Sequence, residues 1–224
     1  MPRAKHEMGI ANPIVEKYLS SLLPDRDDVL ARLERDAQQR GVPIIGPLVG
    51  NVISMIVHSS GATKALEVGT ATGYSGIWIA RALSGPRRKL TTIEMDEERI
   101  AEASRSFKEA GLEKSVEIMR GDARKVVPQI AKRNPGGFDI VFLDVGDKTL
   151  YVDLLEPCLE GLREGGFLIA DNTLWGGEVA NPKNSLPETQ VIRQFNELLV
   201  QDKRLQTSII PIRDGFSIAL KKKQ

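Results

Sequence analysis

From residue 63 onward the sequence alternates short apolar runs with longer stretches of helical period. Runs at 65–68, 90–93, 116–119, 140–143 and 167–170 each adjoin an amphipathic segment. Strands this short and this evenly apolar are buried on both faces, and strands separated by helices pair in parallel. The rhythm therefore predicts a Rossmann-like, doubly wound α/β fold. It changes near the end of the chain: 190–200 reads as a helix, and 207–212 with 216–220 flank Arg213-Asp214-Gly215, an Asp-Gly hairpin signal. The expected sheet has seven strands, mostly parallel, with an antiparallel C-terminal hairpin closing one edge.

Residues 13–60 read as helices. Ile14, Val15, Tyr18, Leu19 and Leu22 follow a helical period, Val29, Leu30, Leu33 and Ala37 continue it, and Gly41-Val42-Pro43 breaks it before a further helix near 49–58. This segment is expected to cap the core, giving one domain over 1–224 with a helical cap at 1–60 and the Rossmann-like core at 61–224. It is also the surface expected to pair two subunits into a homodimer. The 224 residues, 41% hydrophobic, suffice for one sizeable core. Thirty-one basic against thirty acidic side chains leave a net charge of +1, which provides no global field toward nucleic acid or anionic lipid. A single cysteine, Cys158, excludes an internal disulfide, and residues 1–13 lack the apolar core of a signal peptide, so a cytoplasmic location is expected. The apolar stretch 48–57, interrupted by Gly50, Asn51 and Ser54, falls short of the roughly 20 residues that span a bilayer.

Ligands of open parallel sheets bind beyond the carboxyl ends of the strands, where strand order reverses. The first strand ends in Glu67-Val68-Gly69-Thr70-Ala71-Thr72-Gly73-Tyr74-Ser75, a glycine loop of the kind that lets a ligand approach the backbone. It lacks the Gly-Lys-Ser/Thr ending of a phosphate-gripping loop, and Ala71 weakens a dinucleotide fingerprint. Glu94 closes the second strand, where an acid can take both ribose hydroxyls of NAD or of S-adenosylmethionine. Asp122, after the third strand, is placed to cap a helix, to bond an adenine amine, or to do both.

The fourth and fifth strands end on further acids, Asp144 and Asp171-Asn172. If the strands are neighbours, three hard oxygen donors meet at one edge, a set suited to Mg²⁺ or another divalent cation such as Ca²⁺ or Mn²⁺. The competing reading makes Asp144 a loop cap and Asp171-Asn172 a turn. His6 and His58 both fall in the helical N-terminal part, which argues against zinc. An NAD-dependent oxidoreductase and a non-catalytic binding module are the readings from other classes, disfavoured by Ala71 and by the oxygen triad.

Together with Gly41-Val42-Pro43-Ile44-Ile45, Gly121-Asp122-Ala123, Ala170-Asp171-Asn172-Thr173-Leu174-Trp175-Gly176-Gly177 and Ile210-Pro211-Ile212-Arg213-Asp214-Gly215, these motifs make the chain resemble the metal-dependent O-methyltransferases typified by catechol and caffeoyl-CoA O-methyltransferases. The resemblance implies methyl transfer from S-adenosylmethionine to a hydroxyl of a catechol-like vicinal diol, a small aromatic acceptor with adjacent hydroxyls. It implies that Gly69 and Ser75 meet the methionine part, Glu94 the ribose, and Asp122 with Ala123 the adenine, with Ile45, Glu67, Thr70, Met95 and Asp144 also lining the cofactor site and Tyr74 either lying over the cofactor or packing under the loop. Asp144, Asp171 and Asn172 would bind the metal. Asp144 and Lys148 are the catalytic candidates, Lys148 either accepting or steering the proton or, on the competing reading, forming a surface pair with Asp147; Asp144-Val145-Gly146-Asp147-Lys148 is one residue longer than the family's Asp-Ala-Asp-Lys. Trp175 would either wall the acceptor ring or anchor its loop. Some relatives methylate a hydroxylated uridine in transfer RNA, which is the alternative substrate and the single route to a nucleic acid partner.

Overall fold

The computed structural model describes Ile10 and residues 12–223, so His6 lies outside the described residues. Three helices lead the chain: α1 (Pro13–Ser21), α2 (Asp28–Arg40) and α3 (Gly46–Ser59). The alternating core follows as β1 (Lys64–Val68), α4 (Tyr74–Ala82), β2 (Lys89–Glu94), α5 (Glu97–Glu109), β3 (Val116–Arg120), α6 (Ala123–Arg133), β4 (Phe138–Leu143), α7 (Tyr151–Gly161) and β5 (Leu162–Asp171). It ends with α8 (Pro187–Gln201), β6 (Leu205–Ile210) and β7 (Phe216–Lys221). The described residues form one seven-stranded sheet of order β3-β2-β1-β4-β5-β7-β6. β1 to β5 run parallel, and β7 lies antiparallel to both β5 and β6. The expected fold class holds. Strand order reverses between β1 and β4, so the ligand crevice of such a sheet opens above their carboxyl ends.

Each face of the sheet carries its own apolar cluster, the burial that drives formation of the sheet. One joins Ile140, Phe142, Ile169 and Phe216 to α4, α5 and the leading helices through Leu30, Leu33, Val49 and Ile53. The other joins Leu66, Val68, Val141 and Leu143 to Tyr151, Phe195 and Leu199 of α7 and α8. Helix starts follow side-chain chemistry: Asp27, Asp96 and Asp122 each accept first-turn backbone N–H groups of α2, α5 and α6. At the opposite end of the sheet, Asp139 ties three strands together. Its carboxylate accepts from Thr63 N (2.8 Å), Lys64 N (2.9 Å) and Arg163 Nε (2.5 Å).

Several sequence boundaries shift. The hairpin's first strand stops at Ile210 because Pro211 has no N–H to continue the ladder. β5 begins at Leu162 and not near 167; Arg163 and Glu164 hide the strand from an apolar count, and Gly165 bends it with φ 72°. α3 starts at Gly46. α1 has the expected helical period, yet none of its residues is buried, and Ile14 (77%), Tyr18 (62%) and Leu22 (62%) face outward. No helix among the described residues is long and apolar enough to cross a membrane.

Candidate active site at the carboxyl edge

Glu67 is the anchor of the glycine loop. It points to the α4 side of the sheet, fully buried, where Ser75 Oγ and Thr92 Oγ1 each donate to its carboxylate at 2.6 Å and Thr92 Oγ1 shares a further 2.6 Å bond with Thr70 Oγ1. Both ends of the loop are thus tied to one side chain. Burial pushes the Glu67 carboxyl up to about 7, further than the two hydroxyl bonds pull it down, with the charges of Asp144 and Glu94 adding to the rise. Gly69 has φ 105°, and a Cβ there would collide with the main-chain carbonyl of Asp144, whose carbon would lie 2.9 Å away. The loop after β1 and the end of β4 are therefore in direct backbone contact, reinforced by the bond from Asp144 N to Val68 O (2.9 Å).

α4 starts directly at the loop, and no side chain caps its first turn. Thr72 adds a buried hydroxyl oxygen without a hydrogen-bond partner. Sequence reasoning passed over Thr72; its only signal was its place inside the loop. Glu94 is held by three backbone donors, Ala71 N (3.0 Å), Met95 N (2.9 Å) and Asp96 N (3.1 Å). Met95 stands exposed at the rim beside it. Asp122 caps α6 through Arg124 N (2.9 Å) and also receives the Arg124 guanidinium, which holds its carboxyl below the usual range. Ala123 is the first residue of α6. Two residues expected at the cofactor serve the core with their side chains. Ile45 is buried in the cluster under α3, and Tyr74 turns beneath the loop to donate its hydroxyl to Glu34 Oε1 at 2.8 Å.

β4 and β5 are neighbours, in register up to Leu143 and Ala170, so Asp144, Asp171 and Asn172 stand together at the edge. Asp171 is buried, and its Oδ1 has no partner. Its carboxyl is pushed well above the usual carboxylate range, by burial first and by the charge of Asp144 second. Asn172 has φ 56°, and its Nδ2 donates to Asp214 Oδ2 at 3.4 Å. Among the described residues no group of three or more His, Cys, Asp or Glu side chains gathers as a metal cluster; here the third oxygen comes from an amide.

The extra residue after β4 does not displace Lys148. Asp147 caps a short 3-10 turn by accepting from Thr149 N (3.0 Å), which swings Lys148 back so that its Nζ donates to Asp144 Oδ1 and to Tyr151 Oη, both at 2.9 Å. The expected alternative, a surface pair with Asp147, is not what forms, since Lys148 is buried. Burial alone would lower the ammonium's pKa, but Asp144 and Tyr151 outweigh it and the net shift is upward. Tyr151 went unnoticed in the sequence; its hydroxyl bridges toward Asp171 O (3.0 Å) and Leu143 O (3.3 Å), locking the two strand ends. Trp175 packs partly buried against the α7–α8 cluster.

An open sheet of this strand order, with antiparallel β7 between β5 and β6 and a glycine loop at its switch point, is the arrangement of a class I methyltransferase. The O-methyltransferase family model matches residues 21–222, and the chain belongs to that class I S-adenosylmethionine O-methyltransferase family. It is 33% identical over 215 residues to a catechol O-methyltransferase of Niastella koreensis, covering 93% of this chain and 96% of the relative. It is 31% identical to a caffeoyl-CoA O-methyltransferase of Stellaria longipes, with 88% and 85% covered. Among solved structures, an O-methyltransferase from Bacillus cereus in complex with SAH superimposes with TM-score 0.84 at 30% identity, over 93% of this chain and 97% of that one. TomG from Streptomyces achromogenes, an O-methyltransferase of tomaymycin synthesis in complex with SAM, gives TM-score 0.84 at 28% identity over the whole of both chains.

Proposed function

We propose that this chain transfers the methyl group of S-adenosylmethionine to one hydroxyl of a small aromatic vicinal diol, with Asp144, Asp171 and Asn172 holding Mg²⁺ or an equivalent divalent cation. The observation that carries the reading is the buried, unpartnered Asp171 Oδ1 beside a second carboxylate and an amide, at the edge that abuts the glycine loop. A desolvated carboxylate oxygen without a partner is costly, and a hard cation is the partner its chemistry suits. The residues present therefore fit the ion. When bound, such an ion lowers the pKa of a coordinated phenol from about 10 toward neutrality.

On the donor side, the uncapped first turn of α4 suits the methionine carboxylate, with Gly69, Thr70 and Ser75 as its loop contacts. Glu94, pre-oriented by three backbone amides, takes the ribose hydroxyls. Met95 covers the adenine, while Asp122 and the Ala123 N–H meet its edge. Glu67, Tyr74 and Ile45 act from beneath by fixing the loop and its backing. On the acceptor side, Trp175 walls the ring. Lys148, donating to Asp144 and Tyr151, stabilises negative charge at the acceptor oxygen and does not serve as the base, because its Nζ is engaged as a donor to both. Fixing the acceptor oxygen in line with the methyl group supplies several kcal/mol of the rate, about what positioning commonly contributes.

The reading includes one domain with residues 1–60 as its cap, a homodimer built on the exposed apolar face of α1, and a reducing cytoplasm, in keeping with the buried free thiol of Cys158. Turnover of labelled S-adenosylmethionine with caffeate, with and without EDTA and after Mg²⁺ is restored, tests the proposal. Activity that survives chelation would remove the metal from it. Methylation of total tRNA from a deletion strain, with no turnover of vicinal diols, would move the substrate to RNA. Asp171→Ala is expected to abolish transfer while leaving S-adenosylhomocysteine affinity nearly intact.

A further inference from the structure

Between β5 and α8 the chain crosses residues 172–186 without a strand partner. Its course is sharply bent: Asn172, Trp175, Gly176 and Gly177 have φ of 56°, 50°, 60° and 81°. Left-handed backbone at two residues with side chains persists only where the surroundings over-determine it. Carbonyls in such a segment also need donors.

Arg193 of α8 supplies them. Its Nε donates to Val179 O (2.8 Å), its Nη1 to Asn184 O (2.8 Å), and its Nη2 to Glu178 O (3.0 Å) and to Asn181 O. One guanidinium thus gathers four main-chain carbonyls from residues 178–184. Three residues on, and on the same helix face, Asn196 Nδ2 donates to Thr173 O at 2.7 Å. The helix that carries both is rigidly seated, with Thr189, Ile192, Phe195 and Leu199 buried in the core. The loop adds its own crosslinks, Asn181 and Asn184 amides on the Glu178 carboxylate (3.1 and 2.8 Å). A planar fork with donors on three nitrogens matches acceptors spread around it; a lysine ammonium at that place cannot.

We propose that Arg193 is the positioning residue of the acceptor side: it fixes residues 173–184, and through them Trp175 and the Asn172 amide, in the geometry that receives the methyl acceptor. The inference rests on the assignment of this loop to the acceptor under the proposed function. Because Arg193 works through the loop and touches neither substrate, its loss should separate acceptor handling from donor binding.

Arg193→Ala and Arg193→Lys, prepared as full-length protein, test this against the parent. For Arg193→Ala, amide hydrogen exchange within 173–184 should quicken by about tenfold or more while exchange in β1, β4 and β5 stays unchanged. The KM for caffeate should rise by about tenfold, kcat should fall less, and S-adenosylhomocysteine affinity should stay within about twofold. Added ethylguanidinium should restore part of the KM in Arg193→Ala. Arg193→Lys, which keeps the charge and loses the fork, should recover little. Unchanged exchange at 173–184 would overturn the proposal, as would parallel loss of cofactor affinity and acceptor KM. If the parent turns over no vicinal diol, the substrate reading falls alone, and the exchange and affinity measurements still decide the role of Arg193.

Discussion

Replacing Glu67 by glutamine keeps the shape of the side chain and removes a charge that the fold buries. In the folded protein the Glu67 carboxyl sits at about 7, against an ordinary value of 4.5, because it is wholly enclosed and faces the charges of Asp144 and Glu94 with only the Ser75 and Thr92 hydroxyls to compensate. A raised folded-state pKa means that the native state holds its proton more tightly than the unfolded chain does. The associated stability is fully present below 4.5 and is lost as pH rises through 7. From the two values, the parent loses about 1 kcal/mol to this group near pH 5 and about 3 kcal/mol near pH 8.5. Glutamine has no proton to lose, and its amide can still accept from one hydroxyl and donate to the other. Glu67→Gln should therefore raise the melting temperature by roughly 2–4 °C near pH 5 and by roughly 6–12 °C near pH 8.5, before any correction for altered hydrogen bonds. Thermal melts of both proteins across that pH range read the difference directly. A gap between them that stays constant with pH, or narrows as pH rises, would refute the desolvation argument for this site.

The remaining predictions concern the loop, the sheet and the cap. Gly69→Ala adds a Cβ at φ 105° against the Asp144 carbonyl, so it should cost about 3 kcal/mol or more and abolish S-adenosylhomocysteine binding, read by calorimetry. Asp139→Ala removes the partner of Thr63 N, Lys64 N and Arg163 at the far end of the sheet; chemical denaturation should show a loss of about 2–4 kcal/mol with cofactor affinity unchanged. Tyr18→Glu combined with Leu22→Glu places charges on the exposed face of α1 and its C-cap and should convert the proposed dimer to monomers in sedimentation velocity, with the melting temperature of the monomer little altered.

Much of the fold was legible because local and global signals agree in it. Each parallel strand is a short apolar run that ends on a residue of different chemistry, so Glu94, Asp144 and Asp171 announced both the strand ends and the edge they share. Asp122 was legible as a cap because the carboxylate and the Arg124 N–H it accepts lie two residues apart. What stayed hidden depends on contacts distant in sequence. Glu67 meets Thr92 across 25 residues, and Asn172 meets Asp214 across 42. No pattern around Tyr74 says that its ring goes down to Glu34 and not up to a ligand. α1 shows the opposite limit: its period foretold a helix, but a period cannot tell what covers the apolar face. The insertion before Lys148 said nothing of where the ammonium goes, and only the 3-10 turn capped by Asp147 shows how the chain absorbs it.

The order of the last two strands bears on how the enzyme is made. β7 follows β6 in the chain but sits between it and β5, and the turn that precedes it, Asp214-Gly215, accepts the N–H groups of Leu174 and Thr173. A nascent chain that has emerged as far as Ile210 already carries the glycine loop, Glu94 and both edge acids, yet β5 still has a bare flank and the segment after Asn172 has no platform. On the proposed function, the platform under the acceptor half is thus the last part of the site to be completed, by residues 213–221.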